Sequence, residues 1–80
     1  MNQDQVYAEL TKIFRDVFQD DSIFVIASTT AEDVTGWDSS AHVNLILAIE
    51  MQLGVVFNTS EIDEMQSVGD LAEAIERKLK

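Results

Sequence analysis

Cysteine is absent from this chain of 80 residues, which excludes disulfide bonds and thiolate metal sites. Long apolar runs are absent too: none approaches the roughly 18 residues that a membrane-spanning helix needs, so we expect no membrane insertion. Residues 1–5 are polar and the apolar positions after them are periodic, so we expect no signal peptide. These absences are compatible with a cytoplasmic protein, and we take the cytoplasm as its expected location.

Basic residues are few: five lysines and arginines stand against fifteen aspartates and glutamates, a formal net charge of -10. A surface this acidic repels phosphate backbones, which argues against a nucleic-acid partner. It is attracted to basic patches on other proteins, where electrostatics mainly speeds and selects the encounter. The charge is equally compatible with a simple role in solubility.

Length and apolar periodicity indicate the fold class. Eighty residues correspond to one domain, here over 1–80. Apolar positions recur at helical spacing in three long segments and one short segment. We therefore expect an all-α protein, a four-helix bundle with a long loop between helices 1 and 2. We expect it to be a monomer.

The first and last helices show clear amphipathic spacing. The first is predicted from near Asp4 to Phe18, and the last follows a cap at Ser67 with Asp70 three positions on. The side chains expected in the core are Val6, Leu10, Ile13, Phe14 and Val17 from the first helix and Val68, Leu71, Ala72, Ile75 and Leu79 from the last.

Residues 19–38 form a long connection. The apolar run 23–26 has no convincing partner strand, so we predict a loop whose apolar side chains enter the core. The stretch 30–33 has the spacing of a one-turn helix capped by Thr30. Later in the chain, a cap at Thr59 or Ser60 predicts the short third helix.

The second helix is predicted from Asp38 or Ser39 to Leu53, with Gly54 as its stop. At about 100° per residue it carries two apolar stripes. One contains His42, Leu45, Ile46, Ile49 and Leu53, and the other contains Val43, Leu47 and Met51. Either this helix is packed on two sides, or the second stripe is exposed for a partner.

Ser39 stands at the start of this helix. Serines there are most often structural caps. Here, however, Asp38 already supplies a cap and Gly36 frees the preceding backbone. At the first helical position the Ser39 hydroxyl would point past the helix end. A phosphodiester formed on it would face free N–H groups and the positive end of the helix dipole.

A serine hydrolase is a weaker interpretation of Asp38, Ser39 and His42. Ser39 and His42 would lie one turn apart on one helix with nothing to orient the imidazole, and no glycine follows the serine. We therefore predict no catalytic residue, and His42 is expected to bond a backbone carbonyl. The scattered carboxylates predict no metal site.

The chain resembles an acyl carrier protein over nearly its whole length. The points of match are the first helix, the long loop, Asp38-Ser39 opening the second helix, the Gly54 stop, the short acidic helix and the 68–71 start of the last. In that family the serine of an Asp-Ser-Leu motif carries a 4′-phosphopantetheine arm, which a phosphopantetheinyl transferase attaches from coenzyme A. The resemblance implies a covalent arm on Ser39, next to Asp38, whose thiol holds cargo as a thioester.

The sequence also departs from the family pattern. Ser40 replaces the leucine of the motif and is itself an alternative attachment site, while Ala41 and Asn44 stand where members of fatty-acid synthesis typically carry acids. The resemblance implies docking to acyl-loading and acyl-transfer enzymes through basic or apolar patches. The residues expected to bind partners are Val43, Leu47, Glu50, Met51, Glu61, Asp63 and Glu64.

We therefore predict a discrete acyl carrier protein, not an enzyme, that shuttles cargo between biosynthetic enzymes. Its core is expected to be able to admit a short acyl chain. Trp37 and the Ala-His-Val-Asn stretch are similar to discrete carriers of specialised pathways, although fatty acid and polyketide pathways stay open. The alternative is an unmodified helical interaction module that uses the surface of Val43, Leu47 and Met51.

Overall fold

The computed structural model describes residues 2–79 and confirms the all-α class. The first helix packs against both the second and the fourth. Within the described residues β pairing is limited to one isolated antiparallel bridge, between Thr30 and Ser67. None of the described helices is long and apolar enough to cross a membrane. The helices are α1 (Gln3–Phe18), α2 (Ser39–Leu53), α3 (Thr59–Glu64) and α4 (Val68–Leu79).

Helix α1 begins close to the predicted position because Asn2 and Gln5 cap it reciprocally. The Asn2 side chain accepts from the Gln5 N–H at 2.9 Å, and the Gln5 side chain accepts from the Asn2 N–H at 2.9 Å. The predicted core positions of α1 are confirmed, with Val17 only partly buried. The fully buried ones are Val6, Leu10, Ile13 and Phe14.

Helix α2 has the predicted bounds. Gly54 ends it with a φ of 68°, in the left-handed region that glycine adopts without steric cost, and its N–H donates to the Glu50 carbonyl at 2.9 Å. Leu45, Ile46 and Ile49 are buried against the rest of the bundle.

The predicted cap of α3 is wrong. Asn58, and not Thr59 or Ser60, caps this helix: its side chain accepts from the Glu61 N–H at 2.8 Å, and the Glu61 carboxylate accepts from the Asn58 N–H at 3.0 Å. The reciprocal bond needs an acceptor side chain with extended backbone three residues before a glutamate, and Asn58 has both. No residue of Thr59–Glu64 is fully buried, so α3 lies at the side of the bundle.

Helix α4 begins at the predicted cap. Ser67 accepts through its hydroxyl from the Asp70 N–H at 3.3 Å and through its carbonyl from the Leu71 N–H at 3.2 Å. Its predicted core positions are buried except Leu79, which is 38% exposed. Leu79 is the last residue of the helix, and Ala74 is buried instead.

The prediction for the apolar run 23–26 is only partly right. Val25 is buried and Ile23 is partly buried, but Phe24 and Ile26 are exposed. Side chains of extended backbone point alternately to opposite sides, so such a segment cannot bury all four against one core.

The one-turn helix predicted at 30–33 is a turn. The Asp33 N–H donates to the Thr30 carbonyl at 2.9 Å, and the Asp33 carboxylate accepts from the Thr30 N–H at 3.0 Å. The acceptor side chain is therefore that of Asp33, and the Thr30 hydroxyl does not cap the stretch.

The connection between α1 and α2 is fastened to both neighbouring helices. At the start of α4, the Val68 N–H donates to the Thr29 carbonyl at 2.8 Å and the Gly69 N–H donates to the Ala27 carbonyl at 2.9 Å. From α1, the Arg15 Nε donates to the Ile23 carbonyl at 2.7 Å. These bonds give partners to the first N–H groups of α4, which have none within their own helix.

Gly69 lies where this connection touches α4, and we expect Gly69→Ala to be destabilising. A Cβ at this position would lie 2.9 Å from the Ala27 carbonyl oxygen, a backbone atom that cannot move aside freely. Overpacking costs about 1–3 kcal/mol and the better helix propensity of alanine recovers up to about 1 kcal/mol, so the free energy of unfolding should fall by about 1–2 kcal/mol.

Urea unfolding followed by circular dichroism measures this loss. Glu73→Ala, at an exposed position of the same helix, is the matched control and should change the free energy of unfolding by less than about 0.5 kcal/mol. Equal stabilities of the two variants would contradict the proposed close approach.

Candidate functional site

Ser39 is the first residue of α2, and its side chain is exposed. Among residues 2–79 its hydroxyl has no hydrogen-bond partner. The side chain is therefore neither a cap nor part of a network, and a second protein has access to it. This is the position at which the sequence predicted a modified serine.

Asp38 caps the helix that Ser39 opens. Its backbone is extended, with φ of -109° and ψ of -171°, and its carboxylate accepts from the Ala41 N–H at 2.8 Å. The Asp38 carbonyl accepts from the His42 N–H at 2.8 Å. The N–H groups of Ser39 and Ser40 have no partner within the described part of the chain, so they remain available to a negatively charged group.

A groove adjoins Ser39 between the start of α2 and α3. Ser39 and His42 line its α2 side, and the partly buried Ile62 and Met65 line the other. The groove also includes Trp37 from the connection. Its lining is mainly apolar, with polar side chains on both sides: Asp38 beside Ser39, and Asp63 and Gln66 opposite.

His42 does not bond a backbone carbonyl, and that prediction is wrong. Its Nδ1 accepts a hydrogen bond from the Trp37 indole Nε1–H at 3.1 Å, and the two rings stack with centroids 6.0 Å apart. The Trp37 ring packs edge-on against Phe14, at 5.2 Å between centroids. Helical periodicity could not predict the bond between Trp37 and His42, because Trp37 lies in the irregular connection.

The bonding of His42 also bears on the hydrolase interpretation. A general base for Ser39 needs a ring nitrogen within hydrogen-bond reach of the hydroxyl. Nδ1 is bonded to Trp37, and Nε2 is shielded from solvent with no partner in residues 2–79. The Asp38 carboxylate, which would have to orient the imidazole, is bonded to the Ala41 N–H. The triad residue types are present without the triad geometry.

The second apolar stripe of α2 is exposed. Val43 is 55% exposed, Leu47 is 51% exposed and Met51 is 84% exposed. The sequence allowed either a helix packed on two sides or an exposed second stripe, and the structure has the exposed stripe. Apolar side chains in a row on one helix face are typical of contact surfaces.

The acidic residues predicted at this surface differ in availability. The Glu50 carboxylate accepts from the Phe57 N–H at 2.9 Å, which ties the segment after α2 back to that helix. Glu61 caps α3 and pairs with Lys78 at 2.9 Å; the Asn58 N–H and Lys78 hold the pKa of this carboxyl below its ordinary value. Asp63 and Glu64 are exposed.

The described part of the chain contains no candidate metal site. Among residues 2–79, no three histidine, aspartate or glutamate side chains are grouped so that they could hold a metal ion.

Comparison with known proteins gives concordant results. A family model described as a phosphopantetheine attachment site matches residues 8–75. The acyl carrier protein MbtL of Mycobacterium sp. (strain MCS) is 36% identical over 78 residues, which cover 98% of this chain and 88% of that protein. MbtL of Mycolicibacterium paratuberculosis is 37% identical over 73 residues, covering 91% of this chain and 82% of that protein.

A solved structure shares the fold. The solution NMR structure of a holo acyl carrier protein from Geobacter metallireducens superimposes with a TM-score of 0.88 and is 42% identical. The match covers 92% of this chain and 85% of that one.

The Asp38 cap gives a stability prediction. Asp38→Ala should lower the free energy of unfolding by about 1 kcal/mol, because the Ala41 N–H loses its acceptor. Asp38→Asn removes the same negative charge but keeps a side-chain oxygen and should retain most of the stability. Urea unfolding of both variants separates the hydrogen bond from the charge, and equal losses would contradict a capping role.

Proposed function

The chain belongs to the acyl carrier proteins, the family that carries 4′-phosphopantetheine, and on this basis we propose that Ser39 is the residue to which the arm is attached. Members of this family are carriers and not enzymes, and their prosthetic group is covalent. They interact with a phosphopantetheinyl transferase and with biosynthetic enzymes.

One observation supports Ser39 above the neighbouring Ser40: it is the exposed first residue of a helix that Asp38 already caps. Its hydroxyl is free to react, and the uncommitted N–H groups of Ser39 and Ser40 face the place where a phosphodiester would form. The positive end of the α2 dipole favours that negative charge. The residues present therefore fit the group.

The arm supplies a terminal thiol that holds an acyl group as a thioester. The chain itself supplies position and recognition. Asp38 orders the first turn of α2, so that Ser39 is presented on a rigid element. The stripe of Val43, Leu47 and Met51 runs along the same helix and offers an apolar contact to the enzymes that load and unload the cargo.

We further propose that the partner surface is mainly apolar. Glu50 and Glu61 have intramolecular partners, which leaves Asp63 and Glu64 as the exposed acids of the predicted set. Together with Ala41 and Asn44 on α2, this arrangement favours a discrete carrier of a specialised pathway. We place it in the cytoplasm as a monomeric single domain that shuttles its cargo between enzymes.

The attachment site is tested by intact mass spectrometry after incubation with coenzyme A, magnesium and a broad-specificity phosphopantetheinyl transferase. We expect wild type and Ser40→Ala to gain one phosphopantetheinyl group and Ser39→Ala to gain none. A gain lost only in Ser40→Ala would move the site by one residue. No gain in any chain, with helical content confirmed, would favour the unmodified interaction module.

The partner surface is tested by the rate of the same reaction. Leu47→Asp places a charge in the apolar stripe, so we expect kcat/KM for the transferase to fall about tenfold, which corresponds to about 1.4 kcal/mol. Gln52→Asp adds the same charge at an exposed position of α2 outside the stripe and should have a much smaller effect. Equal effects of the two variants would argue against docking through this stripe.

A further inference from the structure

The imidazole of His42 is held in one orientation and one tautomer. Nδ1 accepts from the Trp37 Nε1–H at 3.1 Å, and the stacked rings are inclined by 27°. Trp37 is itself fixed edge-on against the buried Phe14. Because Nδ1 is the acceptor, the proton of the neutral ring belongs to Nε2.

That Nε2–H has no acceptor. The nitrogen is shielded from solvent, and no hydrogen-bond partner for it exists within residues 2–79. Buried donors without partners are rare in folded proteins, and each calls for a specific explanation. A ligand that brings an acceptor is one such explanation.

The position of His42 indicates which ligand. His42 follows Ser39 by three residues on α2, about 5 Å along the helix axis, and residues at this spacing share a helix face. Both line the groove whose other side carries Ile62 and Met65. A group attached to Ser39 that enters this groove therefore has His42 as a neighbour on the same wall.

We propose that the His42 Nε2–H is a polar anchor for the phosphopantetheine arm, donating a hydrogen bond to a carbonyl oxygen. This inference rests on the proposed attachment to Ser39. A carbonyl suits this donor because it accepts without donating, and unlike the phosphodiester at Ser39 it is neutral enough to enter a mainly apolar groove. The arm offers amide carbonyls, and its acylated form adds the thioester carbonyl.

The walls of the groove suit this role. Ile62, Met65 and Trp37 are partly buried, so they offer apolar contact to the methylene segments of an arm without closing the groove. Met65 is unbranched and flexible, so this wall of the groove can adjust to an arm that enters it. Trp37 prevents the imidazole from turning its acceptor nitrogen towards the ligand.

The test is NMR spectroscopy of the 15N-histidine-labelled protein. The chain has one histidine and one tryptophan, so the imidazole and indole signals are assigned without ambiguity. Three samples are compared: the unmodified chain, the chain modified from coenzyme A and the chain modified from acetyl-coenzyme A. Intact mass establishes complete modification before each spectrum, and Ser39→Ala carried through the same incubations is the control.

We expect proton exchange at Nε2 to slow by about two- to tenfold on modification, the range set by the net strength of one hydrogen bond. Nuclear Overhauser contacts should join the arm to Ile62 and Met65. A change already present with the free thiol, together with Overhauser contacts from the amide segment of the arm, identifies an arm amide as the acceptor, whereas a change only after acetylation identifies the thioester carbonyl. Either result supports the anchor.

Three results would overturn it. A fully modified chain with unchanged Nε2 signals and no arm contacts would leave the attachment intact and remove the anchor. A chain that gains no mass would remove both proposals. His42→Phe keeps a ring in contact with Trp37 but has no donor, so in a folded variant the arm contacts to Ile62 and Met65 should weaken; undiminished contacts would also contradict the anchor.

Discussion

The site depends above all on how the twenty residues 19–38 are held against the bundle. This connection has no ladder of its own, so besides its local turns its backbone groups find partners at the start of α4 and on the side of α1. The same bonds satisfy the first N–H groups of α4, which have no partner within their helix. Buried Val25 and Val34 add apolar contact. The connection therefore reaches Asp38 at a defined place, and α2 starts there with Ser39 exposed.

Helix α2 meets two environments at once. One face is buried against α1, and the Val43, Leu47 and Met51 stripe faces solvent on the helix that Ser39 opens. A helix with apolar residues on both sides is costly for a protein with no partner, and useful for one that several enzymes must recognise. Asp63 and Glu64, the exposed acids of the predicted partner set, lie on α3. Glu50 holds the segment that follows α2, and Glu61 takes part in the cap of α3. The exposed side chains of α2 and α3 are thus different from those that hold the two helices in place.

Local rules worked where a local pattern decides the structure. The bounds of α2 followed from Asp38 and Gly54, and the buried positions of α1 followed from spacings of three and four. These rules failed where several neighbouring residues could serve as the cap, or where the partner of a side chain comes from a distant segment. Asn58 caps α3, rather than Thr59 or Ser60, because it forms a reciprocal pair of hydrogen bonds with Glu61. His42 found its partner in the irregular connection, where no periodicity applies.

The sequence by itself determined that the chain is a bundle of four helices, that a capped helix begins beside Ser39, and that α2 carries two apolar stripes. These properties follow from capping chemistry and from the helical repeat, which involve residues close together in the chain. Only the tertiary structure decided which stripe is exposed, which carboxylates are free and where the His42 ring points. Those outcomes depend on what covers each face, and the covering residues come from distant segments whose approach no local pattern encodes.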